Sequence, residues 1–62
     1  PMNEWVFHVD PPKPGHYLVY QRTEDNRKYR FTRFWNGCDW NNPNEEKYGN
    51  VVAWSELLQY PD

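Results

Sequence analysis

Aromatic and basic side chains are interleaved along residues 28–36, and this pattern constrains the fold more than any other feature of the chain. Successive side chains of a β-strand point to opposite faces of the sheet. The odd positions would face a core and the even positions mainly solvent. The odd positions are Tyr29, Phe31, Arg33 and Trp35, and the even positions are Lys28, Arg30, Thr32 and Phe34. Residues 28–36 therefore predict a strand at the centre of a small sheet.

Asn36-Gly37 follows this strand directly. The pair is typical of a two-residue hairpin turn of type I′, in which both central residues have positive φ. Residues 38–40 would then start back as a short return strand.

Residues 16–22 form a second strand pattern, with apolar side chains on both faces. Tyr17 and Val19 alternate with Leu18 and Tyr20, which favours an interior strand of the sheet. The polar loop 23–27 then predicts a hairpin between this strand and the next.

Two shorter segments complete the predicted sheet. Residues 4–9 alternate, with Trp5, Phe7 and Val9 on one side, until a proline-rich connector stops the strand. Residues 50–54 form the last strand, and residues 55–60 either continue it or form a tight helical turn. We therefore expect a mainly-β fold, a twisted antiparallel sheet of four or five short strands that can curl toward an SH3-like barrel. The strands are residues 4–9, 16–22, 28–36, 38–40 and 50–54.

One short helical turn is expected over residues 43–48. Asn42 has the residue type of an N-cap, Pro43 suits the first helical position, and Glu45 follows the cap by three residues. Gly49 suits the helix end.

The 62 residues make a single domain, 1–62, in which Pro1 ahead of Met2 is interpreted as the remnant of an expression tag. Ordering a chain costs roughly 1.5 kcal/mol per residue, and a domain of this size has few side chains to offset that cost. Its apolar content is dominated by large rings: four Trp, five Tyr and three Phe. A thin margin of stability favours association with another protein or with a second copy of this chain as a homodimer.

The charge and the cysteine count restrict the function classes. A net charge of −2 provides no overall basic field for nucleic acid. The single cysteine excludes an internal disulfide and suits a reducing compartment. With no apolar run of membrane-spanning length, we expect a cytoplasmic protein that is not bound to a membrane.

The sequence has no pattern typical of catalysis or metal binding. His8, His16 and Cys38 lack the spacing of a zinc site, so neither a metal nor another cofactor is expected. Cys38 is interpreted as a small buried or half-buried residue beside a turn. Glu45 and Glu46 are adjacent, so their side chains diverge instead of pairing across a substrate. We expect a protein that is not an enzyme.

A protein-binding surface is the function that the composition favours, because Trp, Tyr and Arg are enriched at binding hot spots. The candidate residues lie in the irregular second half of the chain and are Trp40, Tyr48, Trp54, Tyr60, Glu45 and Glu46. The alternative for the four rings is that they close the open side of the sheet.

Two other binding functions stay open. A single-stranded nucleic acid would use basic residues concentrated on one predicted hairpin, namely Arg22, Arg27, Lys28, Arg30 and Arg33. An acidic mimic of nucleic acid would use Asp39, Glu45, Glu46, Glu56 and Asp62.

The order of motifs is similar to that of a family of short phage and prophage proteins classed as domain of unknown function five-five-one. The similarity covers Trp5, the Pro12-Lys-Pro-Gly15 turn, the strand Tyr17-Leu-Val-Tyr20, the stretch Phe31-Thr-Arg-Phe-Trp-Asn-Gly and Val51-Val-Ala-Trp54. Ala53 stands where that family usually has histidine. The resemblance implies no catalytic residues. It implies a cytoplasmic accessory protein of a phage or mobile element, which binds a host bacterial protein and modulates or inhibits it, a host defence enzyme being one candidate.

Overall fold

The computed structural model describes residues 4–57, and they form one antiparallel sheet of five strands with one short helix. The mainly-β prediction is confirmed, while a curl toward an SH3-like barrel stays a prediction. The strand order is β1-β5-β2-β3-β4. In chain order the elements are β1 (Val6–Phe7), β2 (Gly15–Arg22), β3 (Lys28–Trp35), β4 (Trp40–Asn41), α1 (Glu45–Tyr48) and β5 (Asn50–Glu56).

β2 and β3 form the long hairpin at the centre of the sheet. Their register runs from Gly15 opposite Trp35 to Arg22 opposite Lys28. The loop between them is closed by the backbone N–H of Thr23, which donates to the carbonyl of Arg27 at 2.9 Å. β2 also pairs with β5 on its other side, so its predicted interior position is confirmed.

β5 is the last strand in the chain but lies between β1 and β2 in the sheet. It continues to Glu56, beyond the predicted end at residue 54. Its register against β2 shifts between Tyr20 and Gln21, so that Ala53 lies opposite Tyr20 and Val51 opposite Gln21. The extra residue of this bulge is Val52, which adds local twist to the strand.

The core lies on one face of the sheet, which we call the core face, and it is built mainly from aromatic rings. Tyr17, Val19, Trp35 and Trp54 are buried there. Tyr17 meets Trp54 edge-on, with ring centroids 5.2 Å apart, an arrangement that aromatic pairs favour. The predicted core face of β3 is confirmed, because Trp35 is only 4% exposed and Phe31 packs against the cluster.

β1 is shorter than predicted because the backbone leaves the extended conformation at His8. His8 has φ 63, in the left-handed region, and a strand cannot continue through it. Val9 is consequently 63% exposed. Its carbonyl nevertheless accepts a hydrogen bond from Trp54 Nε1 at 2.7 Å, which attaches the segment to the core.

The prediction of a type I′ turn at Asn36-Gly37 was wrong. Gly37 has φ 101, whereas Asn36 is not among the residues with positive φ. The side-chain oxygen of Asn36 instead accepts the backbone N–H groups of Cys38 and Asp39, both at 2.7 Å. This side-chain turn delays the return strand, so β4 begins at Trp40 and not at residue 38.

The predicted capping at Asn42 was also wrong. α1 begins at Glu45, two residues later than expected, and its N-cap is Asn44 with φ 60 and no side-chain cap bond. Asn42 instead directs its side chain inward, where Nδ2 donates to the carbonyl of Gly49 at 3.1 Å. Gly49 ends the helix as predicted, and its N–H donates to the carbonyl of Glu45 at 2.7 Å.

A buried amide joins this crossover from β4 to β5 onto the core face of the sheet. Gln21 of β2 is fully buried, and its Nε2 donates to the Gly49 carbonyl at 2.8 Å and to Asn42 Oδ1 at 3.0 Å. Its Oε1 accepts from Arg33 Nε of β3 at 2.9 Å. A buried polar group is costly unless it is hydrogen-bonded, and here both ends of the amide are.

Replacement of Gly49 by alanine should destabilise the domain severely. A Cβ at this position would lie 2.6 Å from the backbone nitrogen of Thr23 and closer still to the Arg22 carbonyl. Gly49 also has φ 82 and ψ −177, a region that only glycine enters readily. We expect Gly49→Ala to lower the free energy of unfolding by about 3 kcal/mol or more.

Gly37→Ala is the matched control for this prediction. Its φ is also positive, but the nearest atom to an added Cβ is Pro14 Cγ at 3.5 Å. The expected loss is about 1 kcal/mol, the backbone term alone. Urea denaturation followed by tryptophan fluorescence measures both, and equal losses would contradict the role assigned to the Gly49 contact.

Candidate functional site

The face of the sheet opposite the core carries a mixed aromatic and basic surface, which we call the second face. The strand registers place Phe7, Ala53, Tyr20 and Arg30 in one row across β1, β5, β2 and β3. Other members of the second face follow from the alternation of side chains along the strands. They are His16, Leu18, Arg22, Lys28, Thr32 and Phe34.

The rings of the second face fall into two groups. Trp5, just before β1, lies 5.9 Å from Tyr20 between ring centroids. This contact spans β5, whose residue in the row is the small Ala53, only 2% exposed. Phe7 of the same row is 47% exposed. Phe7 lines one groove with Trp5 and Tyr20, and a contiguous exposed apolar patch of this kind is typical of binding surfaces.

The second group of rings lies toward the other end of β2 and β3. His16 and Phe34 are opposite each other in the register, and their rings meet edge-on at 5.0 Å. Phe34 is 37% exposed. The second face thus presents two accessible phenyl rings, Phe7 in the first group and Phe34 in the second.

Basic side chains accompany these rings. Arg22 and Lys28 are opposite each other in the β2–β3 register, and Arg30 is opposite Tyr20. All three are exposed. Among the described strand positions of the second face, none is acidic. The face is locally positive although the whole chain has a net charge of −2.

A shallow groove of about 370 Å³ lies where the first aromatic group meets these cations. Trp5, Phe7, Tyr20 and Arg30 are among its lining residues. An apolar floor with cationic edges suits a ligand that combines flat or apolar groups with negative charge.

The five basic residues predicted for nucleic acid are therefore only partly brought together. Arg33 lies on the core face, where Nε donates to Gln21 and Cζ is 4.2 Å from the centroid of the Phe31 ring. Arg27 lies in the β2–β3 loop, paired with Asp25 at 3.2 Å. Hydrogen bonds from Thr23 and Arg27 hold the pKa of the Asp25 carboxyl below its ordinary value, which shows how Arg27 is engaged within the loop.

Three of the four rings predicted to bind a protein, Trp40, Tyr48 and Trp54, lie on the core face instead. Trp54 is 9% exposed, and Trp40 packs half-buried against Tyr17 and Trp35. Tyr48 of α1 packs edge-on against Tyr29 and Phe31, at 5.1 and 4.8 Å. These three rings close the open side of the sheet, which was the alternative considered for them.

The remaining members of that predicted set are separate from the rings. Glu45 and Glu46 are exposed in the first turn of α1, and Tyr60 lies outside the described residues. A role for the two glutamates in binding stays a prediction.

The acidic residues proposed as a nucleic-acid mimic do not share one surface. Glu45 and Glu46 line a cleft with the 23–27 loop at one end of the sheet. Glu56 lies opposite Tyr17, toward the other end of β2, whereas Asp39 lies in the β3–β4 turn, with β2 and β3 between the two residues. Asp62 is outside the described residues.

Cys38 is exposed, so its predicted burial was wrong. It lies in the turn that the Asn36 side chain closes, and nothing in that turn covers its side chain. Within residues 4–57, no three His, Cys, Asp or Glu side chains are close enough to bind one metal ion.

Comparison with known proteins gives no match to a family model, and no significant match to a curated protein or a solved structure. The resemblance to the phage family stays a prediction for this reason. No helix in the described part of the chain is long and apolar enough to cross a lipid bilayer.

The even positions of β3 were predicted to face solvent, but the proximity of Trp5 and Phe7 to this face was missed, because it depends on which strands are neighbours. The alternation of residues 4–9 does place Trp5 and Phe7 on one side. Only the pairing of β1 with β5, and of β5 with β2, brings those rings next to Tyr20 and Arg30. The small residue Ala53, between Val52 and Trp54, is the one feature of the local sequence that leaves room for a ring to lie across β5.

The buried hydroxyl of Ser55 gives a prediction for the centre of this face. Ser55 is 3% exposed, opposite Leu18, and its Oγ has no hydrogen-bond partner within the described range. A buried polar atom without a partner is destabilising. We expect Ser55→Ala to leave the free energy of unfolding unchanged or raise it by about 1 kcal/mol.

Gln21→Leu serves as the contrast, because it removes a buried polar group whose bonds are all made. It would leave Arg33 Nε without its acceptor, and we expect a loss of about 1–3 kcal/mol. Urea denaturation of both variants makes the comparison. A loss above about 1 kcal/mol for Ser55→Ala would show that the hydroxyl has a stabilising partner.

Proposed function

We propose that this chain is a non-enzymatic binding domain that attaches to another protein through its second face. The observation that carries the proposal is the exposure of Phe7 and Phe34 on a face that also holds Arg22 and Arg30. Aromatic residues and arginine dominate the energy of many protein interfaces. The core does not need these two rings, since it is closed by others.

The expected partner is a protein of a host bacterium. This part of the proposal is supported by the resemblance of Trp5, the Pro12-Lys-Pro-Gly15 turn and Val51-Val-Ala-Trp54 to short phage proteins. A domain of this size with no catalytic set can act by occupying a surface that the partner needs. It would therefore modulate or inhibit a host enzyme, a defence enzyme among the candidates, in the cytoplasm of the bacterial cell.

A pull-down with matched variants tests the protein-binding proposal. The wild-type domain should retain one protein from bacterial lysate in stoichiometric amount. The double variant Phe7→Ala, Phe34→Ala should bind the purified partner at least about tenfold more weakly, because truncation of a ring at a binding hot spot costs about 2 kcal/mol or more. Titration calorimetry with the purified partner measures the change.

Val9→Ala is the control, because Val9 is more exposed than either ring but lies beyond the end of β1. It should bind as the wild type does. Equal weakening by Val9→Ala and by the double variant, or no weakening by either, would count against the second face as the binding surface.

A second candidate function is the binding of single-stranded nucleic acid. The specific observation in its favour is that Arg22, Lys28 and Arg30 lie on the same face as Tyr20 and Phe34. Basic side chains neutralise phosphates while exposed rings stack on bases. Within residues 4–57, the acidic residues that would repel a phosphate backbone lie in loops, at α1 or on the core face.

Fluorescence anisotropy with labelled single-stranded oligonucleotides tests this candidate. Contact with three phosphates predicts that the logarithm of the affinity falls with the logarithm of the salt concentration with a slope of about −2. Arg22→Ala with Lys28→Ala and Arg30→Ala should abolish the slope. Arg27→Ala is the control, since Arg27 is paired with Asp25 in the loop, and it should leave the slope unchanged. Binding that the triple variant does not alter would exclude this candidate.

A further inference from the structure

The outer edge of β3 is open along most of its length. β3 runs over Lys28–Trp35, but β4 pairs only with Phe34 and Trp35. Within residues 4–57, no strand lies next to the outer side of residues 28–33. Such an edge presents unpaired backbone groups to which another extended chain can add.

The hydrogen-bond pattern identifies which backbone groups are open. The N–H of Thr23 donates to Arg27 across the β2–β3 loop, and the N–H of Asn36 donates to Asp39 at 3.1 Å across the next turn. Hydrogen-bonded and non-hydrogen-bonded pairs alternate along an antiparallel ladder. The Thr23–Arg27 and Asn36–Asp39 hydrogen bonds lead to the same assignment of inward and outward backbone groups along β3. The odd positions of β3 bond to β2, and the even positions point their N–H and C=O groups outward.

The residues with outward backbone groups are Lys28, Arg30 and Thr32, and their exposed side chains lie on the second face. A strand added here would meet two cations on that face. On the core face it would meet Tyr29 and Phe31, whose half-buried rings line the same edge. Alternate positions of the added strand therefore face positive charge and aromatic surface in turn.

A second copy of this chain is a poor occupant of the edge. An antiparallel pairing of β3 with β3 centred on Arg30 would place the two Arg30 side chains opposite each other and the Lys28 side chains on the same face. Like charges directly opposite each other destabilise a sheet. The favoured occupant carries carboxylates where β3 carries cations.

We propose that the outer edge of β3 binds an extended peptide segment of the partner protein in which acidic and apolar residues alternate. The segment pairs with the outward groups of Lys28, Arg30 and Thr32. Its carboxylates lie against Lys28 and Arg30, and its apolar side chains lie against Tyr29 and Phe31. The proposal rests on the proposed protein-binding function and names the chemistry of the partner.

Binding of synthetic six-residue peptides is the direct measurement. A peptide of alternating glutamate and valine should bind, and a peptide of the same composition with its three glutamates in one block should bind at least about tenfold more weakly, because only the first matches the period of a strand. In ¹⁵N-resolved spectra the amides of Lys28, Arg30 and Thr32 should shift and become protected from exchange. Those of Phe31 and Arg33 should be protected with or without peptide.

Thr32→Pro tests the backbone bonds without removing a charge. It deletes one outward N–H and leaves the bonds of β3 to β2 in place, and proline is tolerated where a strand's N–H faces away from the sheet. We expect at least about a tenfold loss of peptide affinity, with Thr32→Val retaining wild-type affinity as the control. Thermal denaturation verifies that the proline variant is folded.

A charge reversal tests whether the carboxylates of the peptide lie against Lys28 and Arg30, and it leaves the backbone hydrogen bonds unchanged. Lys28→Glu with Arg30→Glu should bind the alternating glutamate peptide at least about tenfold more weakly and should bind an alternating lysine–valine peptide instead. Unchanged preference for the acidic peptide would overturn the proposal.

Several outcomes separate this proposal from the broader function. If a purified protein partner binds but Thr32→Pro and the charge reversal leave its affinity unchanged, the domain binds protein and the edge proposal fails. If ultracentrifugation shows a dimer that Thr32→Pro dissociates, the occupant is a second copy and the proposal also fails. If the pull-down retains no protein partner and oligonucleotides shift the second-face resonances, protein binding itself is overturned.

Discussion

The side-chain amide of Gln21 holds the crossover between β4 and β5 against the sheet. It is fully buried in the central strand, and its donors reach the carbonyl of Gly49 and the side chain of Asn42 in the crossover. Its oxygen accepts from Arg33 in the neighbouring strand. In a core made of a few rings, such directional bonds fix where the crossover lies, which apolar contacts alone do not specify.

The position of the crossover decides which aromatic rings are internal. Because residues 42–49 cross the core face, Tyr48 packs against the rings of β3. On the same face, Trp40 of β4 and Trp54 of β5 contact Tyr17. The opposite face receives the Trp5–Tyr20 pair and the two accessible phenylalanines. One small sheet therefore has one face committed to stability and another that combines rings with positive charge.

The sequence was sufficient for the parts that depend on local pattern. The alternation in β2 and β3, the interior position of β2 and the end of the helix at Gly49 all follow from neighbouring residues. The left-handed backbone at His8 and the side-chain turn at Asn36 each replaced a regular local conformation, and nothing in the residue types alone decides between the two. The solvent-facing positions of β3 were predicted, but the arrangement of the second face could not be, since it arises from contacts between residues such as Trp5 and Tyr20 that are distant in the chain. The same is true of Asn42, which Gln21 engages from a distant strand.

The placement of β5 between β1 and β2 has a consequence for the synthesis of the protein. The β2–β3 hairpin can form as soon as its residues leave the ribosome, because its pairing is local. β1 has no partner until β5 is made, and Tyr17 and Val19 have no Trp54 to pack against. Pairing that depends on contacts distant in sequence makes folding slower. From the time the hairpin leaves the ribosome until β5 follows it, the inner edge of the hairpin is therefore as open as its outer edge. The N–H and C=O groups that β5 will occupy are then available to chaperones or to other chains.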